Sequence, residues 1–220
     1  MELLNLVSLT LFESYLTLLL IIFYQIEWFM MVLAYLDIET YSPGKEPMFS
    51  DKVILIYYKE ELGGDVVLKL KEWEEGEKSI LSKFYDMLRK KLASKRTFTL
   101  IGWNIIRFDI PFLTYRLFFH KIDDLDNILE IFRKAYWRDL RQCLLPFNNY
   151  RFKGLNEEDV AKRLDISPPK YSNREIKTFY KKHEYKKIEE HAMSEMRFLS
   201  DLSWKMRNLK EILKAFDVVV

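Results

Sequence analysis

Two carboxylates separated by a single residue, Asp37 and Glu39, stand at the end of an apolar run that begins at Met31. That run is rich in β-formers and reads as a buried strand over Met31–Ile38. In a strand, residues i and i+2 point to one face, so both acids project together into whatever cleft lies at the strand's end. Two anions held side by side after an apolar stretch are costly unless a cation neutralises them. The plainer alternative is a strand that ends in solvated acids. A third acid, Asp109, closes the segment Asn104-Ile105-Ile106-Arg107-Phe108-Asp109, which follows a second strand-like run, Thr97–Trp103, and precedes a helix. Oxygen donors delivered from two strand ends are enough to begin a two-metal site, in which ions about 3.5–4 Å apart clamp the attacking and leaving oxygens of a displacement.

The rest of the composition narrows the metal. The chain has one cysteine, Cys143, and three histidines, His120, His183 and His191. A disulfide framework, a Cys-rich zinc site and a His-rich cluster are therefore excluded. Oxygen ligands must dominate, which points to Mg²⁺ or Mn²⁺. The formal net charge of +2 is unevenly spread: residues 1–44 hold Glu2, Glu13, Glu27, Asp37 and Glu39 and none of the 35 Lys and Arg. A basic body around an acidic site suits an enzyme that cuts phosphodiesters, because carboxylates alone would repel the backbone.

The elements needed to position these acids can be read in order. After the first strand, Tyr41–Asp51 carries Pro43, Gly44 and Pro47 and reads as a loop. Val53–Tyr58 is a second buried strand, Gly63-Gly64 a turn and Asp65–Leu70 a third strand, together an antiparallel meander. Glu77–Ser94 has helical spacing, with Ile80, Leu81, Phe84, Leu88 and Leu92 on one face. Further helices are expected from Pro111 to Phe119, over Leu125–Ala135 and Asn156–Leu164, and across most of Glu175–Ala215, with an extended piece at Trp137–Leu140. At 220 residues this makes one α/β domain. Its boundary falls near residue 30, because residues 1–29 form a strongly apolar extension. Only 13 uncharged residues separate Glu13 from Glu27 there, short of the roughly 20 that a membrane span needs. Three readings fit: a docked or interfacial helix, a partner-binding extension, or a translation start at Met30 or Met31. A cytoplasmic protein is expected, with membrane association only if residues 1–29 are translated.

LDIET followed by GWNIIRFDIPFL resembles the first two motifs of the proofreading exonuclease domain of family B DNA polymerases, and more broadly the DEDD exonuclease superfamily. The matching positions are Asp37, Glu39, Asn104, Phe108, Asp109, Pro111 and Phe112. The segment from Trp137 to Ile166, with Asp139-Leu140 and Lys153-Gly154-Leu155, is similar to the stretch between the family's second and third motifs. The resemblance covers roughly residues 31–202. It implies a ribonuclease H-like fold, with helices flanking a mixed sheet that opens on an antiparallel meander. It also implies 3′→5′ exonuclease activity supported by two divalent ions.

The third motif departs from the family's pattern of Tyr-x-x-x-Asp or His-x-x-x-x-Asp. The best match is His191 with Glu195, four residues apart and on one helical face. The resemblance then implies Asp37, Glu39, Asp109 and Glu195 as metal ligands, and His191 as the group that orients or deprotonates the attacking water. Asn104 and Phe108 would shape the substrate site, and Thr40 would contact the terminal nucleotide. The competing reading makes His191 a solvated residue with Glu195 as its ion-pair partner. Glu190 and Asp201 are lesser candidates for the fourth ligand, and His183 has no acid at the needed spacing. Lys90, Lys91, Lys95 and Arg96 form one basic group, and Lys170, Arg174, Lys177, Lys181 and Lys182, with Tyr171 and Tyr180, form another that could track a phosphate backbone. The expected partner is the 3′ end of a single strand, DNA favoured over RNA, with a protein partner in repair or replication also open. With no polymerase module in the sequence, proofreading in cis is not expected.

Overall fold

The computed structural model describes residues 31–43, 51–61, 67–93 and 97–218. The apolar extension 1–29, the Gly63-Gly64 turn, much of the loop after Tyr41, and Lys95 and Arg96 lie outside the described residues. The elements run β1 (Met31–Tyr41), β2 (Lys52–Glu60), β3 (Val67–Lys71), α1 (Glu72–Glu75), α2 (Glu77–Leu92), β4 (Thr97–Gly102), α3 (Asp109–Phe119), α4 (Leu125–Lys134), β5 (Tyr136–Asp139) and α5 (Leu140–Cys143), then a 3₁₀ turn (Leu145–Asn148), α6 (Glu157–Leu164), α7 (Asn173–Lys181), α8 (Tyr185–Lys205) and α9 (Leu209–Ala215).

The strands form one mixed sheet in the order β3-β2-β1-β4-β5. The meander β1-β2-β3 is antiparallel, and β4 and β5 join parallel to β1. Alternation along β1 divides the core. Val32, Ala34, Leu36 and Ile38 face the layer that holds α2, α3 and α4. Leu33 and Tyr35 face the opposite layer, where α6, α7, α8 and α9 pack. Asp37 and Glu39 continue the second row, so the strand's own periodicity aims them at α8.

Two features of β1 open the sheet at this end. Its pairing with β4 stops at Tyr35–Ile101, leaving the last part of the strand without a neighbour on that side. Its pairing with β2 slips between Glu39 and Thr40, where Glu39 faces Leu55 but Thr40 faces Val53. Ile54 is thus the extra residue of a β-bulge, and both Ile54 and Leu55 turn to the α8 layer. Beyond the bulge, the Val53 N–H donates to Glu77 Oε1 at 2.8 Å instead of completing a regular ladder.

Glu77 is buried at the start of α2 and also accepts from Arg116 Nε at 2.8 Å and Nη2 at 2.5 Å, with His120 Nε2 at 2.9 Å. Burial alone would raise its pKa, but Arg116, the Val53 N–H and His120 outweigh it and hold the carboxyl below its ordinary 4.5. This knot ties the α2–α3 layer to the bulged end of the sheet.

Candidate active site

β1 supplies Asp37 and Glu39, and each remaining element closes on them. β4 ends at Gly102, where a Cβ would meet Ile105 Cδ1 at 2.8 Å and the Leu36 carbonyl oxygen at 2.9 Å. Only glycine lets β4 pass this close to β1 while the chain turns. Asn104 then adopts a left-handed conformation, φ 56°, which Asn tolerates better than most residues. Asp139, buried at the end of β5, pins this turn by accepting from Asn104 N at 3.1 Å and Ile106 N at 3.4 Å. The same carboxylate caps α5 through Arg141 N and Gln142 N, so its acceptors are spent on structure.

The turn delivers Asp109 as the first residue of α3, two residues earlier than the start expected at Pro111; Pro111 sits inside the first helical turn, which tolerates it. Asp109 Oδ1 accepts from Ile38 N at 3.3 Å, taking the place of the ladder partner that β4 no longer provides. From the other layer, α8 presents His191 and Glu195 on its buried face among Ile188, Ala192, Met196 and Leu199. Asp37, Glu39, Asp109 and Glu195 line one cavity of about 370 Å³, together with Thr40, Asn104 and Phe108. A larger hollow of about 650 Å³ beside Tyr115, Phe118 and Phe119 contains none of these residues.

His191 is 1% exposed, which removes the solvated reading of that residue. Its Nε2 lies 3.5 Å from Glu39 Oε1 and 3.4 Å from Glu195 Oε1, and one ligand atom from each of the three residues falls within 4.8 Å of the others. Its Nδ1 accepts the backbone N–H of Tyr171 at 3.3 Å. Burial lowers the pKa of the imidazole, so it is neutral and its single proton sits on Nε2, facing the carboxylates. A metal-ligating histidine instead offers Nε2 as a lone pair and donates from Nδ1 to an acceptor. The Tyr171 N–H is a donor, so the imidazole fits the cleft as a hydrogen-bond donor and the carboxylates fit as the cation's ligands.

The electrostatics agree. Asp37 and Glu39 are pushed well above their ordinary values by burial and then by the charge of Glu195. Asp109 is pushed up by burial and then by Asp37. Glu195 rises to about 8 through burial and the charge of Glu157, and Glu157 rises to about 8 through burial and Asp37. Asp37 Oδ2, Glu39 Oε1 and His191 Nε2 are buried with no hydrogen-bond partner among the described residues. Clustered acids with orphaned oxygens match the needs of a hard divalent cation.

The other candidates fall elsewhere. Glu190 pairs with Lys170 at the surface, Asp201 is exposed beside a hollow at Trp204, and His183 lies between α7 and α8 against Tyr185. Of the described members of the basic groups, Lys91 pairs with Glu60 and Lys177 lines the cavity. Sequence reasoning did not single out Glu157, Asn156, Trp103, Arg141 or Asn173, which complete the lining. An acid one residue after an Asn cap looks like ordinary helix-dipole compensation. Only the tertiary packing turns Glu157 toward the cleft.

No curated protein matches the chain. A solved structure described as the family B DNA polymerase from the hyperthermophilic archaeon Pyrobaculum calidifontis superposes with a TM-score of 0.58 at 14% identity, covering 84% of this chain and 27% of that one. The shared architecture is that of a polymerase exonuclease domain, the ribonuclease H-like fold. This chain spans about a quarter of that polymerase's length. A family model described as "Predicted 3'-5' exonuclease related to the exonuclease domain of PolB" matches residues 52–195, which takes in Asp109 and ends on Glu195. With well over half of its length matched, the chain belongs to this family of predicted 3′-5′ exonucleases related to the exonuclease domain of PolB.

Proposed function

We propose that the protein hydrolyses the 3′-terminal phosphodiester of a single strand, DNA in preference to RNA, and releases nucleoside monophosphates. The observation that carries this reading is the convergence of Asp37, Glu39, Asp109 and Glu195 on one cavity with orphaned buried oxygens. These four residues are the ligand set for two Mg²⁺ or Mn²⁺ ions. When bound, such a pair offsets the phosphate's charge and makes water acidic enough to attack near neutral pH.

The chain's own groups do the rest. His191 directs its Nε2 proton into the cleft and orients the attacking water; with that nitrogen already protonated, the orienting role is favoured over proton removal. Thr40, just past the bulge, contacts the terminal nucleotide. Asn104 and Phe108 shape the floor beneath it, with Phe108 backed by Phe112 at 5.4 Å.

Purified protein with Mn²⁺ is expected to shorten a 5′-labelled single strand stepwise from its 3′ end. Asp109→Asn and Glu195→Ala should each lower the rate at least about a hundredfold, the scale on which a small misplacement of a reacting group acts. Matched DNA and RNA strands identify the substrate. Wild type that digests neither strand faster than the variants would overturn the enzyme reading, and leave a nucleic-acid- or protein-binding relative that keeps the fold with His and Glu in its third motif.

A further inference from the structure

Two guanidinium groups share one aromatic ring at the edge of the carboxylate cleft. Arg107 Cζ lies 4.9 Å from the centroid of Phe152, and Arg141 Cζ lies 5.1 Å from it. Arg141 also lines the cavity that holds Asp37 and Glu195. Like charges gathered this closely would be expected to find acids, yet the arginines that form ion pairs among the described residues are Arg116 and Arg207. Arg141 instead donates from Nε to the Leu155 carbonyl at 2.8 Å and from Nη1 to Asn104 Oδ1 at 3.4 Å. Neutral acceptors fix its direction; the charges of Asp139 and Glu157 offset part of its own, but burial followed by the charge of Arg107 lowers its pKa.

The chain that carries Phe152 continues the pattern. Residues 140–156 contain Arg141, Arg151 and Lys153 and no acid. Tyr150 is 77% exposed. It follows Asn149 in a left-handed conformation, φ 51° and 56°, which side chains other than glycine adopt only at a cost. The turn is nevertheless fixed: Tyr150 N donates to the Leu145 carbonyl at 2.8 Å and Asn148 Nδ2 to the Lys153 carbonyl at 3.0 Å. A large exposed ring is thus fixed two residues from the Phe152 ring that both guanidiniums contact.

This is the chemistry of a single-stranded phosphodiester ligand. The guanidinium fork matches a phosphate, and an exposed ring stacks on any base. A cleft crowded with acids also needs cations along the approach if a polyanion is to reach it. We propose that Arg107, Arg141 and the loop 148–153 form the track for the strand upstream of the scissile bond, with Arg141 gripping the phosphate nearest the cleft and Tyr150 stacking on a base farther out. The proposal rests on the reading of the cleft as a phosphodiester-cleaving site.

The test measures binding of a fluorescein-labelled oligothymidylate, and of its oligouridylate counterpart, by anisotropy in Ca²⁺ over a range of KCl, alongside steady-state digestion in Mn²⁺. Arg141→Ala should raise Kd about tenfold and lower the slope of log K against log salt by about 0.7, the value for one lost contact to a single strand. Tyr150→Ala should raise Kd and KM about tenfold, leaving the salt slope and kcat within about twofold, as loss of one stacked base requires. Arg141→Lys should keep the slope and lose affinity. Arg107→Gln and Tyr150→Ala alter exposed side chains and carry the test if Arg141→Ala does not fold. If wild type binds and digests the strand but these variants keep its Kd, KM and salt slope, the track is overturned while the exonuclease reading stands. If wild type neither binds nor digests either strand, the exonuclease reading fails and the track fails with it.

Discussion

Glu195 meets Asp37 and Glu39 from the α8 layer; burial and the charge of Glu195 hold Asp37 and Glu39 above their ordinary values, and burial and the charge of Glu157 raise Glu195. The raised pKa of Glu195 has a measurable consequence. Its folded pKa of about 8 lies above its ordinary 4.5, so the folded state binds the extra proton and loses stability as pH rises between those values. Glu195→Gln removes that loss. In EDTA the variant is expected to melt about 2–4 °C above wild type at pH 8.5, the shift that 1 kcal/mol produces in a chain of this size. The two should melt together at pH 5. With Mn²⁺ the order should reverse and activity should vanish. A variant that melts lower at both pH values would show Glu195 to be ordinary structural packing. Single residues were legible to different depths. Asp37 and Glu39 announced themselves through strand periodicity, and Asp109 through its place after a strand. Glu195 was reached only by resemblance, since an acid on a charge-rich helix carries no mark of burial. The pairing of Arg141 with Phe152 joins positions whose contact no local pattern encodes.

The elements act as levers on these side chains. Gly102 brings β4 against β1 at the level of Leu36, next to Asp37, and Ile105 fills the space its missing side chain leaves. Gly102→Ala forces an atom against the Leu36 carbonyl oxygen, which cannot rotate away. It is expected to lower the urea midpoint by an amount equal to about 1–3 kcal/mol, as overpacking does. It should also cut the exonuclease rate by more than the loss of folded protein explains, because Asp37 and the Asn104 turn move with the strands. Equal midpoints and rates in wild type and variant would refute this. The meander, the strand at Thr97, the extended piece near Trp137 and the longer helices were readable from apolar period and turn residues, whereas the short turns Glu72–Glu75, Leu140–Cys143 and Leu145–Asn148 were not. Boundaries shifted by a residue or two: α6 starts after Asn156, which caps it by accepting from Asp159 N at 2.8 Å, and α3 starts at Asp109 without a side-chain cap. The stretch Glu175–Ala215 resolved into three helices because Lys182–Glu184 and the Asn208 cap interrupt it. Sequence period alone does not reveal such breaks within an almost uniformly charged, helix-prone segment.

For the molecule as a whole, two groups of acids respond to pH in opposite senses. Glu77 is held below 4.5 by Arg116, so its stabilisation is present above that value and fades as pH falls through the lowered pKa. His191, kept neutral by burial, adds to the loss as pH drops below its ordinary 6.5. The cleft acids oppose this from above, destabilising the metal-free fold as pH climbs toward about 8. The melting temperature in EDTA should therefore fall on both sides of an intermediate maximum. Mn²⁺ should restore the alkaline side and leave the acid side unchanged, because protons displace the ion there. At a hundredfold excess over its Kd, the ion adds about 2.7 kcal/mol. A thermal-shift series from pH 4 to pH 9, with and without Mn²⁺, reads this directly, and an equal Mn²⁺ effect at both ends would contradict it. The fold class was visible in the sequence because the order of strands and helices, together with the paired motifs, leaves few topologies open.

The bulge at Ile54 bears on how this molecule tolerates change. It is a phase shift in the sheet: on one side of it β2 alternates in one sense, and on the other in the opposite sense, so that Val53 faces the α2 layer while Ile54 and Leu55 both face α8. Replacing Ile54 by another apolar residue alters a contact. Deleting it would restore an unbroken ladder with Val53 still on the α2 side, but would take a side chain out of the α8 layer and straighten the strand end that sets the Val53 N–H on Glu77. Along this strand the site is protected by the number of residues more than by their kind, and its weak point is a loss of length.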